Sequence, residues 1–320
     1  MKLCVIGDLC LDLYWYTDMT RSRLSRETMR PSNPIVEEVC SPGAAGNVIG
    51  NALSLGAKGS ILISAAARDW RGAVLIKALA KDGVALDGVL EVSRGITPCY
   101  CRTLAADRRT TAEELFCLDF ADFEPICIAD EDRLLALLDA AAREADIIAV
   151  CDQFECGVVT KRIRDKLAEL SRKLPVVADS RERITEFSGA ILKPNEVEAA
   201  AADGREPFAH WDNDVYADIA RRLQAENGRP VIITLGSRGC LWADGGSVCH
   251  IPAAAVEPPL DPIGAGDAFL AAFCVAYAAT GDGAVSAAFA NLAAGVTVSK
   301  LGTTGRATPE AIRTLWNADT

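Results

Sequence analysis

Histidine is scarce in this chain, which has only two in 320 residues, and none of its 12 cysteines forms a CxxC pair. Structural zinc sites use closely spaced cysteine and histidine ligands, so the sequence predicts no such site. Most of the cysteines lie among apolar neighbours, as Cys4 and Cys274 do, which is typical of small core residues. Thiols without a disulfide framework indicate a reduced, cytoplasmic compartment.

Long apolar runs and an excess of positive charge are also missing. No stretch reaches the roughly 20 residues that a membrane-spanning helix needs, and the apolar run at residues 1–7 meets Asp8 at once, so we expect it to be a strand. The chain has 33 Lys and Arg against 44 Asp and Glu, a net charge of -11 and a pI near 4.8. An acidic surface repels nucleic acid and anionic lipid, and we expect neither as a partner.

The chain has instead a regular alternation of apolar strands and helices. Short apolar runs such as residues 2–6 and 147–151 predict buried strands, and helical periodicity follows most of them. This alternation indicates a mainly parallel sheet covered on both faces, with ligands beyond the carboxyl ends of the strands. Segments 13–39 and 96–119 alternate like short strands, and we expect a small β lid there. We interpret residues 1–320 as a single α/β domain.

The most informative stretch is Asp261–Phe269, which reads Asp-Pro-Ile-Gly-Ala-Gly-Asp-Ala-Phe and opens an apolar helix. The amides of Gly264, Ala265 and Gly266 would form an anion-binding nest, reinforced by the helix dipole. Asp267, in the first turn, could accept a proton from an attacking hydroxyl beside a bound phosphoryl group. The alternative is a tight turn in which Asp267 caps the helix.

A second polar segment, residues 193–198, reads Lys-Pro-Asn-Glu-Val-Glu and follows a predicted strand. Asn195 and Glu198 carry hard oxygen ligands three positions apart, so both could face Mg²⁺ through water molecules. The alternative is an N-cap and a solvated helix glutamate. Arg181, just after the strand that ends at Asp179, could contact a phosphate or be a solvated loop residue.

Together these segments resemble the ribokinase (PfkB) family of carbohydrate kinases. Residues 261–269 resemble its C-terminal signature, residues 193–198 its NxxE motif, and residues 234–239 its loop along the nucleotide. Residues 7–12 and 42–47 are similar to its sugar-binding segments. The resemblance covers essentially the whole chain, and it implies a ribokinase-like three-layer sandwich with a β-sheet lid.

The resemblance also implies a role for each matching residue. Five residues match positions that serve ATP binding: Asn195, Thr234, Gly236, Gly239 and Asn291. Three match sugar-binding positions: Asp12, Gly43 and Asn47. Asp267 would be the base beside an anion hole at Gly264–Gly266, Asn195 and Glu198 would order Mg²⁺, and Asp261 matches a region that binds K⁺ in some members. Lids of the family often pair between subunits, which implies a homodimer.

Within the family, the chain looks most like bacterial heptose-7-phosphate kinases, at residues 7–16, 118–120 and 298–303. The product would then be a heptose bisphosphate made for a cell-surface glycan.

The sequence departs from that pattern in places. Gly43-Ala44 stands for a glycine pair, Cys117 for an arginine, and residues 152–157 lack an expected lysine. Lid-hairpin arginines would compensate for the lost charge: Arg102, Arg108 and Arg109.

Two other functions remain open. The protein could be a kinase for a nucleoside or another small alcohol, or a catalytically silent regulator that binds a sugar or a nucleotide.

Overall fold

The computed structural model describes residues 1–93, 95–105, 114–209, 211–302 and 305–319. The strands of these residues are β1 (Leu3–Gly7), β2 (Leu9–Thr17), β3 (Arg23–Leu24), β4 (Pro31–Ser32), β5 (Ile35–Ala44), β6 (Ile61–Ala67), β7 (Val89–Val92), β8 (Cys99–Ala105), β9 (Glu114–Phe120), β10 (Ile147–Asp152), β11 (Val176–Ser180), β12 (Ile191–Leu192), β13 (Val231–Thr234), β14 (Cys240–Asp244) and β15 (Ser247–Ile251). The helices are α1 (Ala45–Ser54), α2 (Trp70–Lys81), α3 (Ile128–Ala141), α4 (Lys161–Leu170), α5 (Glu196–Ala202), α6 (Asn213–Asn227), α7 (Ala265–Thr280), α8 (Gly283–Val298) and α9 (Pro309–Asp319). None of the described helices is both long and apolar enough to cross a bilayer.

A mainly parallel sheet forms the middle layer of the molecule. Its strand order is β15-β14-β13-β12-β11-β10-β1-β6-β7. The pairs from β13 to β7 are all parallel, whereas β14 runs antiparallel to its two neighbours. The alternation of strands and helices in the sequence therefore predicted the main sheet correctly.

Helices cover both faces of this sheet, because its strands bury alternate side chains on opposite sides. In β1, Leu3 and Val5 join a core formed with α1, α2, α7, α8 and α9, while Cys4 and Ile6 join a core formed with α3, α4, α5 and α6. The result is a three-layer α/β sandwich, as expected.

A second, four-stranded sheet with the order β5-β2-β8-β9 forms the lid. Strands β2 and β8 run parallel, and the two outer pairs are antiparallel. The sheet reaches beyond the segment 13–39 in both directions, because β2 starts at Leu9, directly after β1, and β5 continues to Ala44. Arg108 and Arg109 lie outside the described residues.

The junction between β5 and α1 has an unusual backbone. Ala44 has φ 49° and ψ -126°, a conformation that glycine adopts far more readily than alanine. At Gly43 a side chain is excluded instead by space, since a Cβ there would lie 2.6 Å from Cys10 Sγ and 2.7 Å from Asp12 Oδ2. Ala44, which stands where the family pattern has its second glycine, therefore has a strained backbone.

We expect Ala44→Gly to raise the free energy of unfolding by ~0.5–1 kcal/mol, because relief of the strained conformation outweighs the added freedom of the unfolded chain. Urea denaturation measures it. Ala45→Gly, at the buried first residue of α1, is the matched control and should lower stability by ~1 kcal/mol. Equal losses in the two variants would contradict the strain argument.

Candidate active site

A cavity of about 300 Å³ opens between the lid and the carboxyl ends of the main-sheet strands. This is the edge at which α/β sheets bind ligands. The lining includes many residues that the sequence singled out: Asp12, Arg102, Asp179, Arg181, Asn195, Glu198, Thr234, Gly264, Gly266 and Asp267. It also includes three residues for which sequence reasoning assigned no role: Tyr100, Gln153 and Lys193.

Asp267 lies in the first turn of α7, where its carboxylate accepts a hydrogen bond from Asn47 Nδ2 at 2.9 Å. Asn47 is oriented in turn by Asn51, whose Nδ2 donates to Asn47 Oδ1 at 3.0 Å. Within the described residues no side chain caps α7, which begins after Gly264 in the left-handed conformation (φ 77°). The amide of Ala265 donates to the Pro262 carbonyl at 3.2 Å. Among the described residues the amides of Gly264 and Gly266 remain available from the predicted nest, and Asp267 does not serve as the cap.

Burial raises the pKa of two carboxyl groups in this cavity. The pKa of Asp267 rises to about 7, mainly through desolvation, with Asn47 lowering it and Asp179 raising it further. The pKa of Asp12 also rises to about 7, through desolvation and then the charge of Asp267, against a lowering by Arg102. A carboxylate with a pKa near neutrality is well suited to accept a proton from a hydroxyl.

Lys193 and Asp179 form a buried ion pair at the centre of the carboxyl edge, with an Nζ to Oδ2 distance of 2.9 Å. Their side chains are only 2% and 9% exposed. Asp179 belongs to β11 and Lys193 follows β12, so the pair joins two adjacent strand ends. A charged lysine directly after an apolar strand is the sequence signal that would have identified it.

Asn195 and Glu198 form a capping box at the start of α5. Asn195 Oδ1 accepts from the Glu198 amide at 2.9 Å, and Glu198 Oε2 accepts from the Asn195 amide at 2.8 Å. Both nevertheless line the cavity. Desolvation and then Asp179 raise the pKa of Glu198 to about 7, so this carboxyl would be stabilised in its ionised form by a nearby cation.

The donor set of the cavity fits only one kind of Mg²⁺ binding. No group of three His, Cys, Asp or Glu side chains suited to a metal occurs among the described residues. Mg²⁺ commonly keeps several waters and is held by one or two carboxylates and the phosphates of a nucleotide. Glu198 and Asn195 would fit that mode of binding through water molecules, on a cation that also binds the phosphates of a nucleotide.

The loop after β10 is held firmly although it lacks the lysine of the heptose-kinase pattern. Asp8 accepts hydrogen bonds from the amides of Gln153, Phe154 and Val158 at 2.8, 2.9 and 2.7 Å. Arg183 donates to two carbonyl groups of the same loop and forms an ion pair with the carboxylate at the end of β10. This frame directs Gln153 into the cavity lining.

Asn291 and Asp261 mainly hold backbone segments in place. Asn291, which is 8% exposed, donates its Nδ2 to the carbonyls of Ile251 and Pro252 at 3.1 and 2.8 Å. The two carboxylate oxygens of Asp261 accept from the amides of Ile263 and Gly302, at 3.1 and 3.0 Å. Neither residue is in the cavity lining.

Gly236 and Gly239 border the turn that follows Thr234 at the end of β13. Both have positive φ angles, 56° and 89°, and a Cβ at position 239 would lie 2.1 Å from the Ile251 carbonyl oxygen. The turn therefore depends on glycine for its shape. Thr234 lines the cavity, whereas Gly236 and Gly239 are not in its lining.

Comparison with known proteins identifies the family. The model of the pfkB family carbohydrate kinases matches residues 1–311. The chain belongs to this family. The expectations of the sequence analysis about family and fold are confirmed.

Curated relatives are the bifunctional proteins HldE of Azorhizobium caulinodans and Geobacter sulfurreducens. The first is 31% identical over 94% of this chain and 61% of its own length, the second 32% identical over 97% and 62%. The chain thus spans about three fifths of the length of these relatives.

Solved structures share the fold at low sequence identity. Escherichia coli phosphofructokinase-2 in complex with potassium superposes with a TM-score of 0.79, at 17% identity over 99% of this chain and 98% of the other. Arabidopsis thaliana ribokinase complexed with ribose and ATP gives 0.73, at 20% identity over 98% of each chain.

The raised carboxyl pKa values predict how stability depends on pH. Stability from a group with a raised folded-state pKa is present below its unfolded pKa, near 4, and is lost as pH rises through about 7. Asp267→Asn should therefore reduce the loss of stability of the ligand-free protein between pH 5 and pH 8.5. One pKa unit corresponds to about 1.36 kcal/mol, so we expect an effect of ~2 kcal/mol after allowance for solvent in the open cavity.

Urea unfolding at the two pH values gives this difference directly. Glu91→Gln, at an exposed position of β7, is the control and should follow the pH dependence of the unmodified protein. If Asp267→Asn also follows it, the buried-carboxylate assignment is wrong.

Proposed function

We propose that this protein transfers the γ-phosphate of ATP to a hydroxyl group of a sugar or sugar phosphate, with Asp267 as the base. The observation that best supports this proposal is the carboxylate of Asp267, which has a pKa near 7. It lies at the uncapped N-terminus of α7, inside the cavity that opens under the lid. Family membership supports the chemistry. The position of Asp267 beside available backbone amides supports its role.

In the proposed reaction, ATP extends from the turn after Thr234 towards the amides of Gly264–Gly266. The acceptor hydroxyl gives its proton to Asp267 while its oxygen forms a bond to the γ-phosphorus. The bond between that phosphorus and the β,γ-bridging oxygen breaks, and ADP leaves with the electron pair. The amides stabilise the charge on the transferred group, and lid closure excludes water. Asn195 and Glu198 would hold Mg²⁺ through water, and the ion neutralises charge on the ATP phosphates.

The acceptor would lie on the lid side of the cavity. Asp12 can accept hydrogen bonds from two sugar hydroxyls, and Arg102, on β8, supplies positive charge on the same face of the lid sheet. Heptose 7-phosphate is the leading candidate, supported by the resemblance to heptose-7-phosphate kinases and by about 31% identity to proteins named HldE.

A homodimer through the lid and a K⁺ ion near Asp261 complete the proposal. Phe116 and Leu118 of the edge strand β9 are about half exposed, at 50% and 51%, and lie on one face of the lid. This supports a lid-to-lid contact.

The K⁺ ion near Asp261 is supported by the neighbour phosphofructokinase-2, which was solved in complex with potassium. We place the protein in the cytoplasm, where ATP is available.

Asp267→Asn should lower kcat by about 10²–10⁴-fold, because general-base catalysis is lost, while the Kd for ATP stays within about threefold. A coupled ADP-release assay and calorimetry measure the two quantities. Asp282→Asn, at the N-cap of α8, is a matched control, since asparagine caps equally well. Normal turnover of Asp267→Asn would remove Asp267 as the base.

The same assay with magnesium ATP should identify the acceptor. The panel comprises heptose 7-phosphate, hexose phosphates, ribose, fructose and nucleosides, and we expect the highest kcat/KM with heptose 7-phosphate. Preference for a nucleoside would replace the sugar assignment. Binding of ATP without turnover on any acceptor would favour the regulator and overturn the proposal.

A further inference from the structure

Three cationic side chains of the described residues line the cavity, and they differ in their partners. Lys193 is paired with Asp179 at 2.9 Å, and Arg102 is paired with Glu114 at 2.7 Å. Among the described residues Arg181 has no carboxylate within ion-pair distance, and its Nη1 donates instead to the neutral hydroxyl of Tyr100 at 2.9 Å. Arg181 is therefore the guanidinium that an anionic ligand can approach without displacing an acidic partner.

Tyr100 connects Arg181 to the lid. It lies on β8 directly opposite Asp12 of β2, so both side chains are on the cavity face of the lid sheet. Its ring centroid is 6.0 Å from that of Phe154 and 5.8 Å from the Arg181 Cζ. Tyr100 thus contacts the loops that follow β10 and β11, and it joins the lid to both of them.

The position of Arg181 lies between the two halves of the cavity. Gln153 follows β10 on one side, whereas Asn195 and Thr234, which the proposed reaction places beside the nucleotide, lie at the ends of β12 and β13 on the other side. Arg181 follows β11, which is between them, and adjacent strands are about 4.8 Å apart. Such a position is central to the proposed transfer, not at either end of it.

The electrostatic environment agrees with this position. Arg181 is among the charges that lower the pKa of Asp267, which desolvation raises. The charges that act on Asp12 are instead those of Asp267 and Arg102. The charge of the Arg181 guanidinium therefore acts on Asp267, whereas the charge of Arg102 acts on Asp12.

We propose that Arg181 binds the phosphoryl group during transfer, and that Tyr100 positions Arg181 there when the lid is closed. This inference rests on the proposed kinase function. Arg181 forms no covalent bond: the proton still passes to Asp267 and ADP still leaves with the electron pair. A guanidinium offers paired N–H donors to the phosphoryl oxygens and stabilises the charge on the transferring group. With the lid open, Arg181 loses its support, so ATP would be hydrolysed less readily before an acceptor is bound.

The test compares Arg181→Gln, Arg181→Lys and Tyr100→Phe with the unmodified protein, on the best acceptor of the panel. For Arg181→Gln we expect kcat to fall about 10²–10³-fold, with the acceptor KM and the Kd for ATP within about threefold. Arg181→Lys should recover part of this loss, because lysine keeps the charge without the paired donors. Tyr100→Phe should lower kcat about three- to tenfold and raise the fraction of ATP hydrolysed without transfer.

Two further measurements separate catalysis from structure. Added guanidinium at millimolar concentration should restore part of the turnover of Arg181→Ala but not that of Asp267→Asn. Arg143→Gln, on the exposed surface after α3, should behave as the unmodified protein.

Two other results for the Arg181 variants would contradict the proposed role of Arg181. A raised KM for a phosphorylated acceptor with unchanged kcat would mean that Arg181 binds the acceptor's own phosphate, and a weakened Kd for ATP alone would make it a nucleotide-binding residue. Either result overturns the inference and leaves the kinase function intact. If the unmodified protein shows no turnover with any acceptor, both the role of Arg181 and the proposed kinase function are overturned.

Discussion

The hydrogen bond between Asn47 and Asp267 determines how the rest of the site is arranged. It joins α1 to α7, two helices whose residues pack in the same core, and it fixes the direction of a carboxylate that desolvation would otherwise leave unsupported. Asn51 orients Asn47 and also accepts the amide of Ala307, so the C-terminal segment depends on the same network. Networks of this kind are effective only when every member has a partner, because an unpaired buried polar group is costly.

The cavity also shows how an acidic protein can accept a highly charged anion. Desolvation raises the pKa of three of its carboxyl groups, those of Asp12, Asp267 and Glu198, to about 7 each. The site therefore favours proton uptake or a nearby cation, and magnesium bound to a nucleotide supplies such a cation. In the proposed reaction, local amides and the guanidinium of Arg181 would face the phosphates, while the net charge of -11 is spread over the whole chain. Global repulsion and local attraction act over different distances, since salt screens the former beyond about 8–10 Å.

Much of this fold could be predicted from the sequence because strands buried on both faces form continuous apolar runs. Strand β7, Val89–Val92, gave no comparable signal, since it is four residues long and partly exposed. The parallel pairing of β2 with β8 joins segments about 90 residues apart, and nothing local specifies it. In the site, Asn195 and Glu198 have a spacing that serves both a capping box and a cation, so only coordinates show that the capping box forms. The contact of Tyr100 with Arg181 depends on the register with which the lid strands pair, so it could not be predicted from the sequence either.

The departures from the heptose-kinase pattern illustrate why single substitutions are a poor guide to the charge of a site. The absence of lysine from residues 152–157 indicates a loss of positive charge when that segment is considered alone. In the structure, Asp8 and Arg183 hold the same segment through its backbone, so its shape does not depend on the missing side chain. Arg181, at the next strand end, faces the cavity with no acidic partner among the described residues. A parallel sheet makes such exchange feasible, because neighbouring strand ends converge on one ligand and any of them can supply the charge.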